Sequence, residues 1–199
     1  MFITFEGPDG SGKTTQSKLL VDALIAQGKS VLWTREPGGS AVGKKIRTML
    51  LDDTSVQLDP LTELFLFAAD RAEHVRTVIR PALSAGKIVI CDRYIDSTTA
   101  YQAGGRGFDL DVVLTLNKLS TEGLIPDKTF IIDVPSEIGL GRVQKQRGSA
   151  DKFESEALSF HQKVRAMYLK IAALEQKRCV ILDGTKAIAS IFQQITAHF

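Results

Sequence analysis

Gly7-Pro8-Asp9-Gly10-Ser11-Gly12-Lys13-Thr14-Thr15 follows the apolar run Phe2–Phe5, and a segment with helical spacing begins at about residue 14. This is the pattern GxxxxGK[ST] between a strand and a helix, the context in which it binds phosphates. Glycines let backbone N–H groups turn inward around the β-phosphate, and the helix adds its positive N-terminal end. We therefore predict that residues Gly7 to Thr15 bind ATP.

The residues that follow the loop and a later strand indicate phosphoryl transfer. Lys13 is predicted to reach the β- and γ-phosphates, and the Thr14 hydroxyl is predicted to ligate Mg²⁺. The apolar run Ile88–Asp92 ends in an acid where such an acid orders the water shell of the metal. Arg93 comes next, and we expect it to neutralise an acceptor phosphate that otherwise repels the ATP anion. The alternative is that Asp92 caps a helix and pairs with Arg93 on the surface.

Apolar runs alternate with amphipathic segments along the chain, which predicts one α/β domain over residues 1–199 with a parallel sheet. Strands are expected at Phe2–Phe5, Val31–Thr34, Ile88–Asp92, Thr129–Val134 and Cys179–Leu182. Helices are expected at about 14–27, 41–51, 60–85, 108–122, 136–147, 155–176 and 186–198. The third helix, with Leu61, Leu64, Phe65 and Phe67, fits a mostly buried position.

Composition excludes several classes of partner. The formal net charge of +2 over 199 residues lacks the strong basic excess that is typical of nucleic-acid-binding proteins. No apolar run approaches the roughly 18 residues that span a bilayer, and the N-terminus lacks the features of a signal peptide. We expect a cytoplasmic protein without a membrane partner. Cys91 and Cys179 lie in apolar runs without a CxxC pattern, which predicts buried, reduced thiols.

Further motifs share the order in which they occur with one enzyme family. Thr34-Arg35-Glu36-Pro37-Gly38-Gly39, Phe67-Ala68-Ala69-Asp70-Arg71, and Asp92-Arg93-Tyr94-Ile95-Asp96-Ser97 follow the glycine loop in turn. With Ala100-Tyr101-Gln102 and Gly105-Arg106-Gly107, the chain resembles the bacterial thymidylate kinases over nearly its whole length. The resemblance implies a P-loop NTPase fold with a doubly wound five-stranded parallel sheet flanked by helices. It also implies a homodimer that transfers the γ-phosphoryl group of Mg·ATP to dTMP.

Carried over by position, the resemblance assigns acceptor contacts. Phe67 would stack on thymine and Arg71 would donate to a thymine carbonyl oxygen; their i,i+4 spacing places both on one helix face. Arg47 and Arg93 would clamp the dTMP phosphate as planar forks. Asp9 would bind the sugar 3′-hydroxyl or stand near the metal. A core phenylalanine, a solvated Arg47 and an Asp-Gly turn remain open as alternatives.

The remaining acceptor contacts also come from the resemblance. Thr98 and Gln102 would hydrogen-bond the edge of the base, and Tyr101 would occupy the space of a ribose 2′-hydroxyl. Glu36 and Pro37 would belong to the loop that covers the nucleoside. An ordinary helix surface for the first three residues and a plain Pro-Gly turn for the last two are the competing interpretations.

A basic stretch near residues 142–154 breaks at Gly148 and suits a lid that closes over ATP. Because Gly10 and Ser11 leave the glycine loop without an arginine, we expect Arg147 to supply the catalytic cation. Arg142 is expected to pack on the adenine. Lys152 stands where the family often has arginine, and lysine loses the guanidinium fork. A solvated basic loop remains the alternative.

Two rivals to this interpretation stay open. The nearest is the same reaction on another nucleoside monophosphate or on a deoxynucleoside. The other is an ATP-binding switch with a conformational role. Arg93 and the basic lid favour a kinase over a switch.

Overall fold

The computed structural model describes residues 1–52, 57–147 and 153–199, and only the backbone of Gln146 and Arg147. Its centre is a sheet of five parallel strands in the order β2-β3-β1-β4-β5. The strands are β1 Phe2–Glu6, β2 Val31–Arg35, β3 Ile88–Asp92, β4 Lys128–Asp133 and β5 Cys179–Asp183. All five predicted strands are confirmed to within one residue at each end.

Strand β1 lies in the middle of the sheet, between β3 and β4, and each of its residues is buried. From β1 the chain goes out to β2 at one edge, returns to β3, and then crosses to β4 on the other side of β1. The strand order therefore changes direction beside β1. In open parallel sheets, ligands bind outside the carboxyl ends of the strands at such a point.

Helices flank the sheet, and three π-helical turns extend or join them. The helices are α1 Lys13–Ala26, α2 Ala41–Arg47, α3 Pro60–His74, α4 Arg80–Ser84, α5 Ile95–Thr98, α6 Leu110–Thr121, α7 Ser136–Arg147, α8 Leu158–Leu174 and α9 Ile188–Thr196. The π-helical turns are Thr48–Asp52, Val75–Ile79 and Thr99–Gly105. Each predicted helix is present. The segment 60–85 consists of α3, a π-helical turn and α4 in direct succession.

Two expectations about the helices fail. Leu61 and Phe65 are 45% and 52% exposed, whereas Leu64 is fully buried. Consecutive residues of one helix point in different directions, so an apolar run longer than one face must expose some members. The second failure is α5 with its following π-helical turn, which spacing alone did not predict. This segment is buried on nearly all sides, polar residues included, so it lacks an amphipathic pattern.

Apolar side chains pack on both faces of the sheet. On one face, Phe5 and Phe130 contact residues of α1 and α9, among them Leu20 and Ile191. Val89 packs on the other face with the turn Val75–Ile79. The two cysteines are buried free thiols, as predicted. Across the described parts of the chain, every helix is too short or too polar to traverse a lipid bilayer.

Candidate active site

The phosphate-binding loop joins the end of β1 to the start of α1. Gly7 and Gly10 have φ values of 136° and 68°, which side chains rarely allow. A Cβ on Gly7 would lie 2.3 Å from the Ile132 carbonyl oxygen, and one on Gly10 would lie 2.1 Å from that of Gly139. The loop therefore packs directly against backbone of β4 and α7, which only glycine permits at these two positions.

Lys13, the first residue of α1, turns its ammonium group back into this loop. Its Nζ donates to the Pro8 carbonyl oxygen at 2.7 Å and to Ser11 Oγ at 3.3 Å. Burial and the neighbouring Arg93 guanidinium lower the pKa of Lys13 to about 8. A phosphate group in the loop would supply the negative charge that favours the protonated amine.

Thr14 and Asp92 form the candidate metal position. The Thr14 hydroxyl donates to Asp92 Oδ2. The two residues meet because β1 and β3 are neighbours with Phe5 in register with Asp92. Within residues 1–52, 57–147 and 153–199, no group of three or more His, Cys, Asp or Glu could hold a metal. One hydroxyl and one carboxylate fit Mg²⁺, which is held by few protein oxygens and completes its shell with water and phosphate.

Arg93 lies at the centre of the cleft and is one of two non-glycine residues in the described chain with positive φ, at 72°. Its Nη2 donates to Asp9 Oδ1 at 2.5 Å and to the Tyr101 hydroxyl at 3.3 Å. Its Nη1 donates to Ser97 Oγ at 3.1 Å and to the Tyr168 hydroxyl at 3.3 Å. Four side chains, those of Asp9, Tyr101, Ser97 and Tyr168, hold this guanidinium in place.

An aromatic group forms one wall of the cleft. The ring centroids of Phe67 and Phe153 are 5.9 Å apart, and those of Tyr101 and Phe153 are 5.7 Å apart. The Tyr101 hydroxyl donates to Asp9 Oδ2 at 2.6 Å. Tyr101 is therefore fixed both by ring packing and by its hydroxyl, and it cannot turn freely.

Arg71 is 2% exposed and is surrounded by protein acceptors. Its Nε donates to Glu36 Oε2 at 2.8 Å and its Nη1 to Asn117 Oδ1 at 2.9 Å. Its Nη2 donates to the Tyr94 carbonyl oxygen at 3.0 Å and to Thr98 Oγ1 at 2.9 Å. Within the described chain, these contacts use four of the five N–H groups of a guanidinium. The protein itself therefore provides acceptors for this buried arginine, and one Nη1 hydrogen remains that could donate to a ligand.

Glu36, which pairs with Arg71, is itself held by a buried histidine. Its other carboxylate oxygen contacts His74 Nδ1 at 2.9 Å, and His74 Nε2 contacts Thr34 Oγ1 at 2.7 Å. The following Glu36–Pro37 peptide bond is cis. Arg47 Nη1 donates to the Pro37 carbonyl oxygen at 3.0 Å, which ties α2 to this loop.

Gln102 follows on the same side as Thr98 and contacts a second buried acid. Its Nε2 donates to Glu63 Oε1 at 3.1 Å, and Arg106 Nε donates to the same oxygen at 3.2 Å. Glu63 is 1% exposed, so its charge is balanced by Arg106 rather than by water.

Arg142 of α7 bonds the backbone of the glycine loop and of the turn after β5. Its Nη1 donates to the Gly184 carbonyl oxygen at 2.9 Å and to that of Gly10 at 3.3 Å. Arg147 is the last residue of α7, and its side chain lies outside the described part of the chain, as do residues 148–152 with Lys152. The lid expectations therefore stay predictions.

These groups open into one cavity of about 260 Å³ at the carboxyl ends of the strands. Its lining includes most of the predicted site residues: Asp9, Gly10, Gly12, Lys13, Thr14, Thr15, Glu36, Pro37, Arg47, Phe67, Arg71, Asp92, Arg93, Thr98, Tyr101 and Gln102. Of the predicted residues whose side chains are described, Gly7, Pro8, Ser11 and Arg142 are outside the lining. Residues from both the glycine loop and the expected acceptor site thus share one cavity.

Sequence reasoning missed four residues that position the site: Glu6, Asn117, Phe153 and Tyr168. A signal existed for Glu6, because an acid at the end of a buried apolar strand needs a partner for its charge. For the other three, contact with Arg71, Phe67 or Arg93 arises between segments far apart along the chain. Their residue types carry no such information by themselves.

Comparison with known proteins agrees with this geometry. The sequence model of the family described as thymidylate kinase matches residues 5–195. The chain is 50% identical over 194 residues to a thymidylate kinase of Sulfurihydrogenibium sp. (strain YO3AOP1), with 98% of this chain and 94% of the relative covered. It is 48% identical over 201 residues to that of Trichlorobacter lovleyi, with coverages of 98% and 95%.

A solved structure gives the same result for the fold. The crystal structure of thymidylate kinase from Ehrlichia chaffeensis superimposes with a TM-score of 0.80 at 39% identity. The alignment covers 100% of this chain and 97% of that one. The fold class inferred from the sequence is thereby confirmed. By family match, sequence identity and structure alike, the chain belongs to the thymidylate kinase family.

Proposed function

We propose that this cleft transfers the γ-phosphoryl group of Mg·ATP to dTMP and releases dTDP and ADP. Membership of the family supplies the reaction class, a kinase that phosphorylates dTMP with ATP as donor. The observation that carries the residue roles is that Lys13 of the phosphate-binding loop lines the same cavity as Phe67 and Arg71 of α3. Arg93 also lines this cavity.

In the donor half, Lys13 would contact the β- and γ-phosphates of ATP and so exchange its two loop acceptors for phosphate oxygens. Thr14 and Asp92 would hold Mg²⁺, the hydroxyl directly and the carboxylate through the water shell. When bound, Mg²⁺ neutralises charge on the β- and γ-phosphate oxygens. The hydrogen bond from the Thr14 hydroxyl to Asp92 supports this pairing.

In the acceptor half, Arg93 and Arg47 would contact the dTMP phosphate. Asp9 bonds both Arg93 and Tyr101, so it fixes the direction from which an acceptor phosphate can approach Arg93. The role of Asp9 at the sugar or near the metal is part of the proposal. Transfer then needs the acceptor oxygen and the γ-phosphorus in line, and fixed cations on both sides favour that geometry.

For the base, Phe67 would stack on thymine while the remaining Arg71 N–H donates to one ring carbonyl oxygen. Thr98 and Gln102 line the same wall and would meet the edge of the base. Tyr101 would fill the space of a ribose 2′-hydroxyl, and Glu36 with Pro37 would close the pocket. The support for this arrangement is that four N–H groups of Arg71 already donate to the protein, which fixes the guanidinium and leaves one Nη1 hydrogen to donate to the base.

The proposal keeps one kinase domain over residues 1–199 with a lid near 142–154. Arg147 would act on the transferring phosphoryl group, and Arg142 would lie along the adenine. The support is that the glycine loop contains no arginine, so the cation that the transition state requires must come from elsewhere.

A homodimer in the cytoplasm is also part of the proposal. Helices α3 and α6 expose large apolar side chains, namely Leu61, Phe65, Val112 and Leu119, at 45%, 52%, 47% and 69%. Exposed apolar side chains on neighbouring helices are the kind of surface that a second copy covers. Phe65→Asp should give a monomer in analytical ultracentrifugation if this face is the interface. A dimer of unchanged stability would refute this choice of surface.

A coupled assay with ATP, Mg²⁺ and a panel of monophosphates tests the proposal most directly. We expect dTMP to be the best acceptor and dUMP to be poorer by about tenfold, the low end of the roughly 10–200-fold discrimination that a hydrophobic pocket achieves for one methyl-sized group. UMP should be poorer still, because its 2′-hydroxyl meets Tyr101. A purine monophosphate or CMP as best acceptor would refute the thymidylate assignment. ATP hydrolysis without transfer would favour a switch.

A further inference from the structure

Glu6 is a fully buried carboxylate that has no role in the mechanism above. It is the last residue of β1, directly before the phosphate-binding loop. Its Oε1 accepts a hydrogen bond from the backbone N–H of Tyr94 at 2.7 Å. Its Oε2 accepts from Ser97 Oγ at 2.6 Å and from the Tyr168 hydroxyl at 3.2 Å. All three contacts are donations to the acid, which suits an ionised carboxylate.

The two hydroxyls that bond Glu6 are the same ones that receive Arg93. Arg93 Nη1 donates to Ser97 Oγ at 3.1 Å and to the Tyr168 hydroxyl at 3.3 Å. A hydroxyl has one hydrogen and two lone pairs. Each hydroxyl can donate its hydrogen to Glu6, or one can donate to the other across the 2.8 Å between Ser97 Oγ and the Tyr168 hydroxyl. In either case lone pairs remain that accept from Arg93. The carboxylate thus sets the direction of both hydroxyls.

Glu6 also supports Arg93 through the backbone. The Arg93 N–H donates to the Phe5 carbonyl oxygen at 2.9 Å, and the next N–H, that of Tyr94, donates to Glu6. The left-handed φ of Arg93 lies between these two anchors. Such a conformation is costly for a side-chain-bearing residue and persists only where its surroundings hold it.

We propose that Glu6 is a positioning residue for the acceptor phosphate, which it serves by fixing the backbone turn and the guanidinium of Arg93. This inference rests on the proposed contact between Arg93 and the phosphate of dTMP. Glu6 itself touches no substrate. Burial and the nearby Asp96 raise the pKa of Glu6 to about 7, while Ser97, Arg93 and the Tyr94 N–H oppose the rise.

Glu6→Gln tests the proposal because it keeps the shape and removes one acceptor. If the amide oxygen still accepts from Tyr94 N–H, the amide nitrogen donates to the two hydroxyls, which can then no longer donate to this side chain. One of their hydrogens can go into the contact between Ser97 and Tyr168, and the other is left on the side of Arg93. If the amide is reversed, its nitrogen faces the Tyr94 N–H. Each orientation therefore removes one of the two supports of Arg93, either the hydroxyls or the backbone anchor, and neither changes Phe67 or Arg71.

The readout is calorimetric binding of dTMP, thymidine and ADP to wild type and to Glu6→Gln. We expect the Kd for dTMP to rise about tenfold, in line with loss of a hydrogen bond to a charged group. The Kd values for thymidine, which lacks the phosphate, and for ADP should stay within about twofold. Equal weakening of dTMP and thymidine would mean a structural role only and would overturn the proposal.

A double-mutant cycle with Arg93→Ala separates this inference from the proposed function. If Arg93→Ala leaves dTMP binding unchanged, the proposed role of Arg93 fails. If it weakens dTMP binding and Glu6→Gln adds the same tenfold loss in its background, only the role of Glu6 fails. We expect no further loss, because Glu6 acts through Arg93.

Two further variants keep the test independent of folding. Asp133→Asn is the matched control, since Asp133 bonds Arg165 at 2.7 Å and is not in the cavity lining; dTMP binding should not change. If Glu6→Gln does not fold, Ser97→Ala combined with Tyr168→Phe removes the same relay while the acid stays. That variant should show the same selective loss of dTMP binding, and its absence would overturn the proposal.

Discussion

Arg71→Ala removes the side chain on which the buried polar network of the acceptor pocket depends. The substitution leaves the Glu36 carboxylate, whose side chain is 3% exposed, without its arginine, and it leaves Asn117 Oδ1 without its donor. Breaking a buried ion pair from one side costs about 3–5 kcal/mol of folding free energy. Because His74 Nδ1 still contacts the other Glu36 oxygen, we expect the lower part of that range, about 3–4 kcal/mol.

Urea and thermal unfolding measure this loss. For a domain of this size, about 2–4 °C of Tm accompanies each kcal/mol, so Tm should fall by roughly 6–16 °C. Arg76→Ala is the matched control, because Arg76 lies five residues further along, is 72% exposed and pairs with Glu73 at 3.4 Å. Its loss should be below about 0.5 kcal/mol.

Acceptor kinetics at a temperature well below the lowered Tm complete the test. The KM for dTMP should rise much more than the KM for ATP, because Arg71 faces the acceptor half of the cavity. Equal free energies of unfolding for Arg71→Ala and Arg76→Ala would refute the structural role of Arg71. Equal increases in both KM values would instead place the damage in the fold and not in the base pocket.

Lys13→Ala should lower kcat by about 10²-fold or more while dTMP still binds, and turnover at the wild-type level would contradict the assignment of the loop. Since the pKa of Lys13 is lowered to about 8, ATP binding to wild type should weaken as pH rises above 8, and calorimetry of the alanine variant should show no such limb. Arg147→Ala should lower kcat more than it raises the KM for ATP; a change in KM alone would make it a ground-state contact. Tyr101→Phe, which keeps the packed ring but removes the bond to Asp9, should retain the preference for dTMP over UMP if the ring excludes the 2′-hydroxyl. Loss of that preference would assign the selection to the hydroxyl.

Local patterns in the sequence were enough to predict the positions of the strands and of the phosphate-binding loop. Strand positions follow from short apolar runs, and the glycine loop follows from spacing between a strand and a helix, because both depend on residues adjacent in the chain. The same holds for Asp92, whose place at the end of a buried strand could be inferred without knowing which strand lies beside it. Its hydrogen bond to Thr14 required the order of the strands.

What each side chain touches was decided by the tertiary structure. The sequence indicates that Arg71 needs an acceptor, but Asn117 lies 46 positions away and joins it only because α3 packs against α6. Phe65 fits the apolar pattern of α3 as well as Leu64 does, yet it lies outside the core, since only one side of the helix can face the helices on which α3 packs. Glu6 could be recognised as an acid at the end of a strand, but its link to Arg93 runs through Ser97 and Tyr168. Pairings between residues distant in the chain arise from packing, and no local pattern encodes them.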